Sequence, residues 1–154
     1  MAAPQPTTIV LDDGDSVPGL WLRAEGETAC LVLAHGAGAG MAHRSMSGLA
    51  EGLAERRIST LRYDFPFAAR GARRPDSPMV AHRAVRAAAR LARREVASLL
   101  LFAGGRSYGG RMTSQAQAAA PLEGVRGLAF FAFPLHPAGN PSVGRADHLA
   151  KVDI

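Results

Sequence analysis

The chain has 154 residues, 47% of them hydrophobic, which suits one compact domain with a single core. No run approaches the ~18 consecutive apolar residues that span a bilayer, and Met1–Thr8 has neither a charged n-region nor an apolar h-region, so the expectation is a cytoplasmic protein with no membrane contact. The net charge is +5, but every basic residue except Lys151 is arginine and these are scattered without interleaved aromatics, which argues against a nucleic-acid partner.

In chain order, residues 1–8 read as a loose tail. Thr8–Leu11 and Leu20–Ala24 are short strand candidates on either side of the turn-like Asp12-Asp13-Gly14-Asp15. Ala29–Ala34 is a continuous apolar run of buried-strand type, ending in the glycine-rich His35–Gly40. Cys30 lies in that run and reads as a small core residue. As the only cysteine, it rules out an intramolecular disulfide and a cysteine-based metal site.

Ala42–Arg57 has helical periodicity, with Met46, Leu49, Leu53 and Ala54 on one face, and Ile58–Tyr63 is a further strand. Asp64–Pro78 reads as a long polar, proline-containing loop. Met79–Arg94 is an amphipathic helix. Arg83, Arg86, Arg90, Arg93 and Arg94 form its solvated side, and Ala81, Ala84, Val85, Ala88, Leu91 and Ala92 its packed side. Val96–Ala103 is a third buried strand, Gly104–Gly110 a sharp turn, Arg111–Ala120 a helix and Val125–Phe133 a fourth strand. Pro134–Ile154 shows no strong periodicity.

Strands alternating with helices predict a single α/β domain over residues 1–154, with a mostly parallel sheet covered by helices on both faces. Nothing clearly helical follows Val125–Phe133, so the fold is expected to lack its C-terminal part.

Gly105-Arg106-Ser107-Tyr108-Gly109 fits G-x-S-x-G, the turn that carries a serine nucleophile. The chemistry explains the spacing. The serine must stand on a strained strand-to-helix turn that exposes its hydroxyl, and glycines two before and two after it remove side chains that would clash there. The following helix directs its positive N-terminal end at developing negative charge. An oxyanion hole would take one backbone N–H from the His35–Gly40 loop and one from the residue after the serine. Ala37 and Tyr108 are the candidates, with Gly38 in reserve for the first.

A rival reading is a dinucleotide-binding Rossmann-like domain. Gly36-x-Gly38-x-Gly40 resembles its turn, and Asp64 ends the next strand as a ribose-binding acid would. Against it, Met41 occupies the position that should be the third conserved-type glycine, and a second glycine turn around Ser107 has no use there. The five histidines show no metal spacing, and neither metal nor cofactor is expected. His35 reads as a residue that orients its loop, His43 and His82 as surface helix residues, and Ser114 as an ordinary helix residue.

The motifs together resemble a branch of the α/β-hydrolases related to dienelactone hydrolases. That branch also includes a histone-acetyltransferase-complex subunit and its testis-expressed relative. The matching residues are His35–Gly40, Tyr63–Phe67, Gly71–Asp76, Gly104–Met112, Pro134–Pro137, Gly139 and His148-Leu149, covering roughly Ala29 to the end. The resemblance implies a serine hydrolase fold acting on an ester or related small-molecule acyl substrate, although some members act as scaffolds. It also implies that the catalytic acid and histidine lie beyond Ile154. Two substitutes within the chain are weaker. Asp147 and His148 are adjacent, so their side chains should diverge. His136 lies just past a strand end. The expectation is a hydrolase-like domain inactive as these 154 residues, with a non-catalytic interaction module of the same fold as the alternative; the oligomeric state is left open.

Overall fold

The computed structural model describes residues 2–154. Six strands form one sheet: β1 (Gln5–Val10), β2 (Ser16–Leu22), β3 (Ala29–Ala34), β4 (Ile58–Tyr63), β5 (Leu100–Arg106) and β6 (Val125–Phe131), in the order β1-β2-β4-β3-β5-β6. The β4-β3-β5-β6 pairs are parallel, while β1 pairs with β2, and β2 with β4, in antiparallel fashion. The helices are α1 (Arg44–Ala54), α2 (Pro66–Ala69), α3 (Pro78–Glu95) and α4 (Tyr108–Ala119), followed by a 3₁₀ helix over Gly144–Lys151. No helix among the described residues is long and apolar enough to cross a membrane.

The run Ala29–Ala34 is apolar throughout because both faces of β3 are covered. Cys30, Val32 and Ala34 join the core beneath α3 and α4, whereas Leu31 and Leu33 pack with Met46 of α1 on the opposite face. Helix α3 buries Ala81, Ala84, Val85, Ala88 and Ala92, as its period predicts, and Ala87 and Ala89 as well. Small side chains there let the helix sit close to the sheet. Cys30 is fully buried, and desolvation pushes its thiol up to about 12, so it is an inert core residue.

Part of the arginine face of α3 joins neighbouring elements together. Arg86 donates to the carbonyls of Ala116 and Ala120 at 2.6 and 3.0 Å, capping the C-terminal end of α4. Arg83 faces Asp12 and Asp13 of the β1–β2 turn, and Arg93 pairs with Glu123.

Several boundaries differ from the sequence reading. Residues 5–8 belong to β1, where they pair with Gly19–Trp21 and Pro18 of β2, so the second half of the expected loose tail is edge strand. The segment 64–78 contains α2, and α4 begins at Tyr108, directly after the serine. His43 is not in a helix; it caps α1, its Nδ1 accepting the Ser45 N–H. In place of featureless chain after β6, the 3₁₀ helix docks on α4. His148 Nε2–H donates to Ser114 Oγ at 2.6 Å, and Gln117 Nε2 donates to the Asp153 carbonyl at 3.1 Å.

Candidate active site

Ser107 stands between β5 and α4 with φ 51° and ψ −117°, in the left-handed half of backbone space that a non-glycine residue rarely adopts. Such a conformation costs of order 1–3 kcal/mol and persists only where its surroundings impose it. Here the Ser107 N–H donates to the Phe131 carbonyl at the end of β6 at 2.8 Å, and the Ser107 carbonyl accepts the Arg111 N–H of α4 at 3.1 Å. The flanking glycines fit because they lack side chains. A Cβ at Gly105 would lie 2.6 Å from the Ala34 carbonyl oxygen, and one at Gly109 would lie 2.5 Å from that of His35. Helix α4 starts at Tyr108, so its N-terminal dipole points at the serine.

The glycine loop after β3 comes up against this turn: a Cβ at Gly36 would sit 3.8 Å from Ser107 Cβ. Several neighbours fix the loop. His35 is fully buried; its Nδ1–H donates to the Gly36 carbonyl at 2.6 Å and its Nε2 accepts the Phe65 N–H at 3.0 Å. Asp64 Oδ1 accepts the Met41 N–H at 2.8 Å, and buried Arg62 donates to the Met41 carbonyl at 2.9 Å. Gly40 has no Cβ because Asp64 Oδ1 would be 2.8 Å from it. Phe65 and Phe67 pack edge-on against both His35 and the ring of Tyr108, joining the loop to the elbow.

Ala37, Ser107 and Tyr108 line one cavity of about 390 Å³, together with Pro75, Asp76, Arg111 and Arg145. Neither the Ala37 nor the Tyr108 N–H donates to a carbonyl or side chain among the described residues. Gly38, the reserve donor, lines a neighbouring cavity and not this one. Asp76, Arg111 and Arg145 went unremarked as site residues in the sequence. Asp76 and Arg145 reach the cavity from segments with no helical or strand period, and Arg111 reads as an ordinary position in the helix after the serine.

Residues 27–154 match the sequence family described as alpha/beta hydrolase domain. The chain belongs to the α/β-hydrolase family. No curated protein sequence matches it. Among solved structures, an α/β serine hydrolase homologue from Coxiella burnetii is similar at 18% identity and a TM-score of 0.71, over 88% of this chain and 65% of that one. A lidless α/β serine hydrolase from Xanthomonas campestris gives 22% and 0.69, over 94% and 66%. Dienelactone hydrolase from Anabaena variabilis ATCC 29413 gives 22% and 0.68, over 82% and 62%. The chain thus spans less than two thirds of the length of each, and at these identities the likeness establishes the fold.

In this hydrolase fold the dinucleotide-binding reading fails. Asp64, its would-be ribose ligand, is occupied by the Met41 N–H and pressed against Gly40. The five histidines are all engaged away from Ser107. His35 bonds Gly36 and Phe65, His43 Ser45, His82 Gln115, His136 the Pro137 carbonyl and His148 Ser114. His148 and Asp147 do not bond each other among the described residues, so the adjacent pair is not assembled as base and acid. Ser114 is more than a plain helix residue: its hydroxyl donates to the Arg111 carbonyl at 2.8 Å and accepts from His148.

His35 gives a pH prediction. Burial, the largest influence, holds its imidazole below the ordinary 6.5, and its two bonds fix the neutral tautomer. Burial acts in the same direction on His82 and His148. The unfolded chain therefore takes up protons at a higher pH than the folded one. Stability is full above about pH 6.5, declines as pH falls below it, and levels off once the folded-state values are passed. Urea midpoints should drop between about pH 7 and about pH 5, and a flat profile would contradict the buried neutral imidazoles.

Proposed function

We propose that this α/β-hydrolase domain carries the nucleophile and oxyanion hole of a serine hydrolase acting on an ester or related acyl substrate. The observation that carries the reading is Ser107 itself. It is held at positive φ at the head of α4, in one cavity with the free N–H groups of Ala37 and Tyr108. The Ser107 hydroxyl attacks the acyl carbon, and the two N–H groups, with the helix dipole behind one of them, stabilise the oxyanion that forms. His35 is a positioning residue for the loop that bears Ala37. Every described histidine bonds a partner other than Ser107, so this reading requires a general base that the described contacts do not supply. The narrower kinship with the dienelactone-hydrolase-related branch rests on the sequence motifs, together with the structural likeness to a dienelactone hydrolase.

A fluorophosphonate probe tests this. The natively expressed protein should be labelled, and Ser107→Ala should abolish the labelling. The absence of any described base beside Ser107 favours a second reading, a non-catalytic interaction module of the same fold. A folded native protein that resists the probe would establish that reading instead.

A further inference from the structure

We propose that the 3₁₀ helix over Gly144–Lys151 is a strap that forms one wall of the Ser107 cavity, latched in place by neutral His148 and released when His148 takes up a proton. The proposal goes beyond the reading of Ser107 as a nucleophile and does not depend on it. Two side-chain hydrogen bonds tie the strap and the residues after it to the domain: His148 Nε2–H to Ser114 Oγ at 2.6 Å, and Gln117 Nε2–H to the Asp153 carbonyl at 3.1 Å. None of the strap's residues is buried, and it forms no ion pair among the described residues. A segment with so few buried contacts opens locally at a free energy well below that of global unfolding.

The alignment of the strap on α4 makes it depend on that latch. Arg145 and His148 are three residues apart, so they eclipse on a 3₁₀ helix. Arg111 and Ser114, three apart on α4, share one face of it. His148 bonds Ser114, and Arg145 lines the Ser107 cavity together with Arg111. Neither arginine has an acidic partner among the described residues. Burial, and after it the Arg145 charge, holds Arg111 below its ordinary pKa. The docked strap therefore sets two like charges beside each other, and their repulsion works against docking.

A proton on His148 adds to that repulsion. It enters at Nδ1, because Nε2–H already donates to Ser114. The bond to Ser114 survives, but the new charge faces Arg111 of α4, His82 of α3 and Lys151 of the strap itself, with Arg86 on the far side of His82. Asp147, which is exposed, supplies the opposing carboxylate. Burial first, and Arg111 second, hold the docked imidazole below the ordinary 6.5, whereas a released one is solvated. The direction fixes the sign: docking is complete above about pH 6.5 and weakens as pH falls below it. Release carries Arg145 out of the wall, which opens the cavity beside α4 and removes one of its two arginines.

The test is an amide titration of the ¹⁵N-labelled 154-residue protein from about pH 7.5 to about pH 5. The amides of Ala146, His148 and Leu149 should move toward disordered-chain positions with one midpoint, shared by the His148 ring and by the Tyr108 amide, while the amides of β3 stay fixed. The ratio of released to docked strap should rise about tenfold over that range. Ser114→Ala, which removes the acceptor, should show a released strap already at the upper end. His148→Gln, which keeps a donor near the place of Nε2 and takes up no proton, should keep the strap docked to the lower end. Strap amides that stay still, that move only together with those of β3, or that titrate unchanged in His148→Gln would overturn the proposal, as would a docked strap in Ser114→Ala. Should His148→Gln release the strap at every pH, the wild-type titration decides, and separate midpoints for the His148 ring and the strap overturn the proposal.

Discussion

Gly109→Val is expected to abolish folded, soluble protein, whereas Arg106→Ala, three residues away in the same turn, should fold at wild-type yield. A Cβ at Gly109 would lie 2.5 Å from the His35 carbonyl oxygen, 2.6 Å from that of Ala34 and 2.7 Å from the Ala34 carbonyl carbon. All three are backbone atoms at the end of β3, which has a paired strand on either side, so they cannot turn aside as a side chain can. Relief would require α4 to move off the sheet, and α4 buries Met112, Thr113, Ala116 and Gln117. Overpacking a core commonly costs 1–3 kcal/mol where side chains can adjust; here they cannot, and the cost approaches the roughly 5–15 kcal/mol that keeps a domain folded. Arg106 is exposed and makes no ion pair among the described residues. Soluble yield and the far-ultraviolet melting transition of the two variants provide the measurement. Equal yields would mean that the turn does not approach β3 as closely as the structure places it.

The same close approaches explain which parts of the molecule can be read in its sequence. β3 and β4 coincide with their predicted residues because each is a run of six with buried side chains, bounded by recognisable turns. β5 is shifted: Val96–Leu99 looked like strand, while Gly104, Gly105 and Arg106 looked like turn. Glycine has low strand propensity, but here the ladders to β3 and β6 decide, and Gly104 is required by contact, since its Cβ would meet the Ala129 carbonyl oxygen at 1.8 Å. Gln5–Thr7 of β1 have no strand signal in the sequence because an edge strand with mostly exposed side chains has no apolar alternation to detect. α2 has four residues, too few for a period. In the site, Ser107 and its glycines were legible because the elbow is a local device whose demands fall on consecutive residues. Asp76 and Arg145 were not. They reach the cavity from segments 31 residues before and 38 residues after Ser107, counting along the sequence, and only the folded chain brings them together.

The purified 154-residue chain should hydrolyse p-nitrophenyl acetate at a rate that Ser107→Ala does not change, roughly 10⁶-fold below a complete serine hydrolase. A serine hydroxyl without a base remains protonated and is a weak nucleophile at neutral pH. Triad members act as a unit, so when one is missing the serine contributes nothing measurable, and what survives is the residual effect of the oxyanion hole and binding, about 10³–10⁴ over water. The geometry leaves no histidine free for the task. His35 has both ring nitrogens bonded and is held neutral by burial, and removing it from its loop would dismantle the position of Ala37. His148 donates to Ser114 along α4, two helical turns beyond Ser107, and lines a separate cavity with His82 and Lys151. His136 is exposed and turned to the Pro137 carbonyl. Turnover is measured for the wild-type chain and for Ser107→Ala, with burst kinetics followed at high enzyme concentration to detect an acyl-enzyme. A Ser107-dependent burst or steady state from monomeric protein would contradict the prediction. It would require His136 or His148 to leave its present partner and reach Ser107, and His136→Ala and His148→Ala would then show which of them does.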